Sequence, residues 1–180
     1  MEDAAKLILR LTTGSLVAGH GAQKLFGLFE GPGLEGTSGW LESMGLKPGN
    51  AWAWLAGLAE FGGGALTALG LMNPLGPLGI IGAMSMATAK AHWGKPIWVT
   101  AGGAELPVTN IAVATAIALA GPGKYSLDHA LGIKLPRWMF AAGLASILST
   151  VVYAKITSEM LASQQSGQQA QEAKQEQAAE

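Results

Sequence analysis

Cysteine is absent from the 180-residue chain. That excludes thiol–disulfide chemistry and cysteine-ligated clusters built by this chain alone. Charge is scarce as well: Asp, Glu, Lys and Arg make up 13% of residues, about half the ~25% of an ordinary soluble domain. The net charge of −1 leaves no basic excess, so nothing points to nucleic acid as a partner and none is expected. Regularly spaced polar helix faces, which a soluble all-α protein needs, are missing from the Leu/Ala/Gly/Met runs. No H-x-x-H or E-x-x-H spacing occurs, so no metal site is expected. The glycine clusters open no strand–turn–helix unit, and no Ser/His/Asp arrangement stands out. Glu2-Asp3 opens the chain and no A-x-A-like end closes the first apolar run, so no cleavable signal is expected and the first helix should remain as an anchor.

What the chain has in abundance is apolar length. Hydrophobic residues are 49% of the total, and they gather at about 4–28, 51–72, 75–94, 105–121 and 136–156. Each run approaches the ~17–25 residues that cross a hydrocarbon core. The reading is an all-α, polytopic transmembrane helical bundle embedded in the inner or plasma membrane. A four-helix membrane domain is expected over 1–132, an additional transmembrane helix over 133–160, and a polar Gln-rich tail, disordered or a solvated helix, over 161–180. Between the first two spans, Ser38 is placed to cap a short interfacial helix carrying Trp40, Leu41 and Met44. Lys6, Arg10, Lys124, Lys134 and Arg137 share the N-terminal side, against Lys47, Lys95 and Lys155 opposite. The bias favours a cytoplasmic N-terminus.

A charge at the bilayer centre costs about 2.5–3.5 kcal/mol on insertion scales, so each one requires a partner or a task. His20, Gln23 and Lys24 lie in "GHGAQKLFG" of the first span, Glu60 in the second, Lys90 and His92 at the end of the third, and Glu105 at the start of the fourth. Connectivity puts all of them in the half of the membrane opposite the N-terminus. His20 is about 12 Å from the end of its span at 1.5 Å per residue, near the level of Glu60. Ala56, Glu60, Gly64 and Ala68 recur every fourth residue, which turns Glu60 toward a neighbouring helix rather than lipid. A polar pocket of His20, Gln23, Lys24, Glu60, His92 and Glu105 is the functional expectation. The plainer alternatives are a hydrogen-bonded His20, a structural Lys24–Glu60 ion pair, a helix-start role for Glu105 and a snorkelling Lys90, which projects nearly opposite His92.

The stretch "LILRLTTGSLVAGHGAQKLFGLFEGPGLEGTSGWLESMGLKP" resembles the opening of the DoxX family of integral membrane proteins. The likeness continues through "LAGLAEFGGGALTALGLMNPLGPLGIIGAM", "AHWGKPIW", "GGAELP" and "ALAGPGKYSLDHALG", over about residues 6–132. The resemblance implies a four-helix membrane module. It also implies a redox-associated role, since the family takes its name from likeness to a membrane subunit of a thiosulfate:quinone oxidoreductase. A quinone is the implied small molecule and redox proteins the implied partners, beside the lipid bilayer. No catalytic residue transfers, and the chain alone presents no convincing catalytic site. Two other expectations stand beside this one: a non-catalytic scaffold using the fifth helix or the tail, and a small proton-coupled permease.

Overall fold

The computed structural model describes residues 1–179, and every described segment of regular structure is helical. The helices are α1 (Glu2–Phe26), α2 (Gly33–Ser43), α3 (Gly49–Leu69), α4 (Leu75–Ala91), α5 (Glu105–Ala120), α6 (Leu127–Leu131) and α7 (Trp138–Ala179). Pro and Gly punctuate them. Pro48 and Pro74 precede α3 and α4, and α1 and α3 end on Gly27 and Gly70, with φ of 67° and 63°.

Helices α1 and α3 pack antiparallel, and glycine sets how closely. A Cβ on Gly14 would stand 2.5 Å from the Ala68 amide nitrogen, one on Gly64 would meet Ala18 of α1, and Gly21 lies against the Phe61 backbone. The same register puts Leu25 on Gly57 and Lys24 beside Glu60. Helix α4 returns antiparallel to α3, with Gly63 against Gly76 and Gly79. Helix α7 then runs parallel to α4: Leu78 packs on Gly143, Gly82 on Ile147, and Lys90 reaches Ser158. Val17, Ile80, Ile81, Met84 and Ala114 form one buried cluster, and Leu41, Leu46, Ala53 and Ala154 a second under the α2–α3 turn.

Polarity is arranged unusually. Arg10, Thr37 and Thr67 are no more than 2% exposed, whereas Ile8, Leu16, Leu58, Leu106, Leu119 and Leu148 are each more than half exposed. Arg10, which sequence reasoning placed among the flanking cations, is instead a buried tie. Its Nη2 donates to the Tyr125 carbonyl at 2.5 Å, while Nε and Nη1 have no hydrogen-bond partner among the described residues. Asp128, also buried, accepts from the amides of Met72 and Asn73 at 2.7 and 2.8 Å. Gly70 fits between them because any side chain there would run into the Arg10 guanidinium. Helix α1, the α3–α4 turn and α6 are thereby fastened together.

One expectation changes, one of two alternatives is selected, and one expectation is met only in part. Helix α2 begins at Gly33, so Ser38 lies inside it rather than at its cap. The Gln-rich segment is helical to Ala179 as a direct continuation of α7, the solvated-helix alternative, since "SEMLASQQSGQQ" contains no proline and its single Gly167 is outweighed by good helix formers on either side. Among the described residues one helix, α7, combines the length and apolarity of a membrane crossing, over Trp138–Gln169 with mean hydropathy 1.6. Charges in α1 and glycines in α3 dilute their hydropathy, and α5 is apolar but has only 16 residues.

The glycine contacts lead to a direct test. Gly14→Val should lower the melting temperature in detergent by several degrees, because the added atoms meet backbone. Gly19→Ala, with nothing near its Cβ, should be neutral or stabilising by up to ~1 kcal/mol. Circular-dichroism melts of the two variants side by side measure the contrast.

Candidate functional site

The α1–α3 register brings together two of the residues singled out by sequence. Lys24 Nζ donates to Glu60 Oε2 at 2.5 Å. Glu60 is 5% exposed and sits about 16 Å along α3 from Gly49, at 1.5 Å per residue. That is the middle of the helix. The Lys24 side chain is 22% exposed, which leaves its ammonium a way to a second partner.

The pair borders a cavity of about 300 Å³ whose walls come from three helices. Gly79, Gly82, Ala83 and Ala87 of α4 form its floor, and their small side chains leave the volume open. Leu55, Ala56 and Ala59 of α3 form one wall, and Ile147, Thr150 and Val151 of α7 the other. Trp40, Leu41 and Met44 of α2 and its following turn close one end. The lining is mostly apolar. Lys24, Glu60 and Lys90 are its charged members. The volume falls at the lower edge of ordinary small-molecule sites, ~300–1,000 Å³.

The other expected site residues lie elsewhere. His20 is exposed, and its Nδ1 stands 3.1 Å from Gln23 Oε1. Gln23 in turn donates to the Phe29 carbonyl at 3.3 Å, so the two brace the turn after α1. His92 Nδ1 lies 2.7 Å from the Gly102 carbonyl, and Glu105 accepts from the Val99 amide at 2.9 Å. These two hold the α4–α5 loop in shape. None of the four lines the cavity. Among the described residues no group of three or more His, Asp or Glu side chains is placed to hold a metal.

Lys90 differs from its expected role. It turns toward α7 and donates to Ser158 Oγ at 2.6 Å instead of snorkelling outward. Sequence reasoning missed this because no short-range signal pairs residue 90 with a helix beginning 48 positions later, at Trp138.

The DoxX family model matches residues 5–93. The chain belongs to the DoxX family. The match spans α1 to α4 and so includes the Lys24–Glu60 pair and the cavity floor. It stops before "GKPIW", so the likeness from there to "SLDHALG" rests on resemblance alone. No curated protein and no solved structure matches the chain. Membership of this membrane-associated family agrees with the one long apolar helix, α7.

Removing one partner of the Lys24–Glu60 pair leaves an uncompensated charge beside an apolar cavity. Lys24→Met should therefore destabilise the DoxX bundle by about 3–5 kcal/mol. The double substitution Lys24→Met with Glu60→Met should cost less than the two single changes added together. Chemical or thermal unfolding of the three variants gives the coupling.

Proposed function

We propose that this DoxX protein is a five-span integral membrane protein, and that its cavity takes the head of a membrane-dissolved amphiphile of quinone type. In this reading α1, α3, α4, α5 and the first half of α7 are the crossings. What supports the five spans is the inverted polarity: large apolar side chains face outward on α1, α3, α5 and α7, while Arg10, Glu60 and Thr67 face inward. In water such a surface would be a continuous apolar patch, well beyond what soluble monomers expose. In lipid it is the expected arrangement.

The observation that carries the ligand reading is a charged pair set into an apolar cavity at mid-helix. A quinone head has an apolar ring and two carbonyl acceptors. Lys24 keeps further N–H donors beyond the one given to Glu60, and the small floor of α4 leaves room for a flat ring. A carboxylate at hydrogen-bond distance from that ammonium can take up or return its proton as the head is reduced or reoxidised. The electron carrier on this reading is a redox partner, and this chain is its membrane component.

Photo-crosslinking with an azido-quinone in phosphatidylcholine nanodiscs tests the proposal. Saturable labelling of the α4 peptide is expected, and Ala87→Phe, which fills the floor, should reduce it roughly tenfold, about 1.4 kcal/mol of binding. Labelling that never saturates, or that ignores Ala87→Phe, would overturn the ligand reading.

A scaffold role has one observation of its own. Helix α7 continues past Ser158 with an exposed polar surface through Gln169, a rod available to a partner. Truncation after Ala162 would then abolish recovery of a partner on mild-detergent purification without changing the melting temperature of the bundle.

A further inference from the structure

Lys90 stands at a junction. Beyond the first cavity lies a second, of about 530 Å³ and more polar, bordered by Glu42, Lys47, Ser158, Glu159 and Gln165. The two cavities have Met44 and Lys90 in common. Lys90 is the next-to-last residue of α4, so its ammonium sits at the helix end, where an apolar slot gives way to a polar vestibule. From Lys90 the floor continues to Leu78, a run of about 18 Å at 1.5 Å per residue.

Its electrostatics differ from those of the deeper cation. Lys24 is neutralised by Glu60, but no carboxylate lies within ion-pair distance of Lys90 among the described residues. Its hydrogen-bond partner is the buried Ser158 hydroxyl, whose own proton goes to the Lys155 carbonyl at 2.9 Å. Among the described residues, two of the three ammonium hydrogens are left without a protein acceptor. The two vestibule carboxylates do not serve. Glu42 accepts from the Gly49 amide at 2.9 Å, at the start of α3, and the exposed Glu159 is near enough for its charge to act on Lys90 but makes no contact with the ammonium. A half-buried cation at the head of an apolar slot, with its nearest carboxylate out of contact and in solvent, is incompletely compensated until an anion docks directly on it.

We propose that the vestibule is a head-group subsite for an acidic amphiphile, a carboxylate on a single hydrocarbon chain, with its head on Lys90 and its chain lying along α4 toward Leu78. This rests on the reading that the slot admits an amphiphile, and not on that molecule's being a quinone. The bound carboxylate accepts the two free Lys90 hydrogens while Ser158 keeps the third, so no protein hydrogen bond is broken on binding. Lys90 is then the residue that determines preference for an acidic head, whereas the Lys24–Glu60 pair, already neutral, contributes none.

Equilibrium binding of radiolabelled dodecanoate and its methyl ester to the full chain in phosphatidylcholine nanodiscs, corrected for empty discs, decides the matter. The wild type should prefer the acid by about tenfold, the worth of one charge-assisted contact. Lys90→Met should erase that preference while ester binding stays unchanged, and Lys90→Arg should retain it. Since the ester reports an intact slot in each variant, loss of fold is not mistaken for loss of recognition. A preference that survives Lys90→Met, or that disappears with Lys24→Met, would overturn the head-group assignment. Saturable ester binding with no acid preference in the wild type also overturns it, leaving the slot standing. If neither molecule binds saturably, the amphiphile slot itself fails.

Discussion

The structure depends on how closely two helices approach. Gly14, Gly21 and Gly64 allow the α1 and α3 backbones to touch, Gly57 makes room for the Leu25 side chain, and none of these contacts tolerates a Cβ without displacement of the neighbour. Close approach fixes register as well as distance. With Gly14 on Gly64 and Leu25 on Gly57, Lys24 has no freedom but to lie beside Glu60. The ion pair is therefore a product of glycine packing, and the cavity that it borders inherits its position from the same contact.

Charges inside the bundle are arranged by level. At the N-terminal end, Arg10 and Asp128 lock α1 to the connections between later helices, through backbone carbonyls and amides rather than through a direct ion pair. At mid-depth, Lys24 and Glu60 compensate each other. At the far end, Lys90 is in contact with a hydroxyl and, among the described residues, with no carboxylate. The progression runs from a cation held by backbone, through a neutral pair, to a cation whose carboxylate neighbour, Glu159, stays out of contact. A charged group in an apolar setting is cheapest when its hydrogen bonds and its field are both satisfied. Only the middle level meets that condition with side chains of this chain.

Much of this was legible from the sequence. Helical class and the approximate extents of the helices follow from apolar runs bounded by Gly and Pro, and the facing of Glu60 follows from its stripe of small residues. The pairing with Lys24 followed from connectivity, since α1 ends where α3 begins. His20, Gln23, His92 and Glu105 shared that level, but level along an axis does not fix direction around it. His20 precedes Lys24 by one turn and yet points to an exposed face, because Gly21 and Leu25 occupy the α3 contact. What stayed hidden depended on contacts distant in sequence: Arg10 with Tyr125, Lys90 with Ser158, and α7 as a cavity wall. No local pattern encodes them. The unbroken α7 was a different matter, for the Gln/Ala-rich stretch has good helix propensity and lacks only an apolar face.

Helix α7 has two duties along one rod. Its first half forms a wall of the cavity, while residues 163–169 stand exposed, with no neighbour near Gly167. An α-helix is stiff along its hydrogen-bonded axis, and 42 residues make a shaft of about 63 Å. Tilt imposed on the outer end is delivered as displacement at Ile147 and Thr150, with the Ser158 contact near the fulcrum. The width of the cavity is in this sense geared to the angle of a lever whose handle lies outside the bundle.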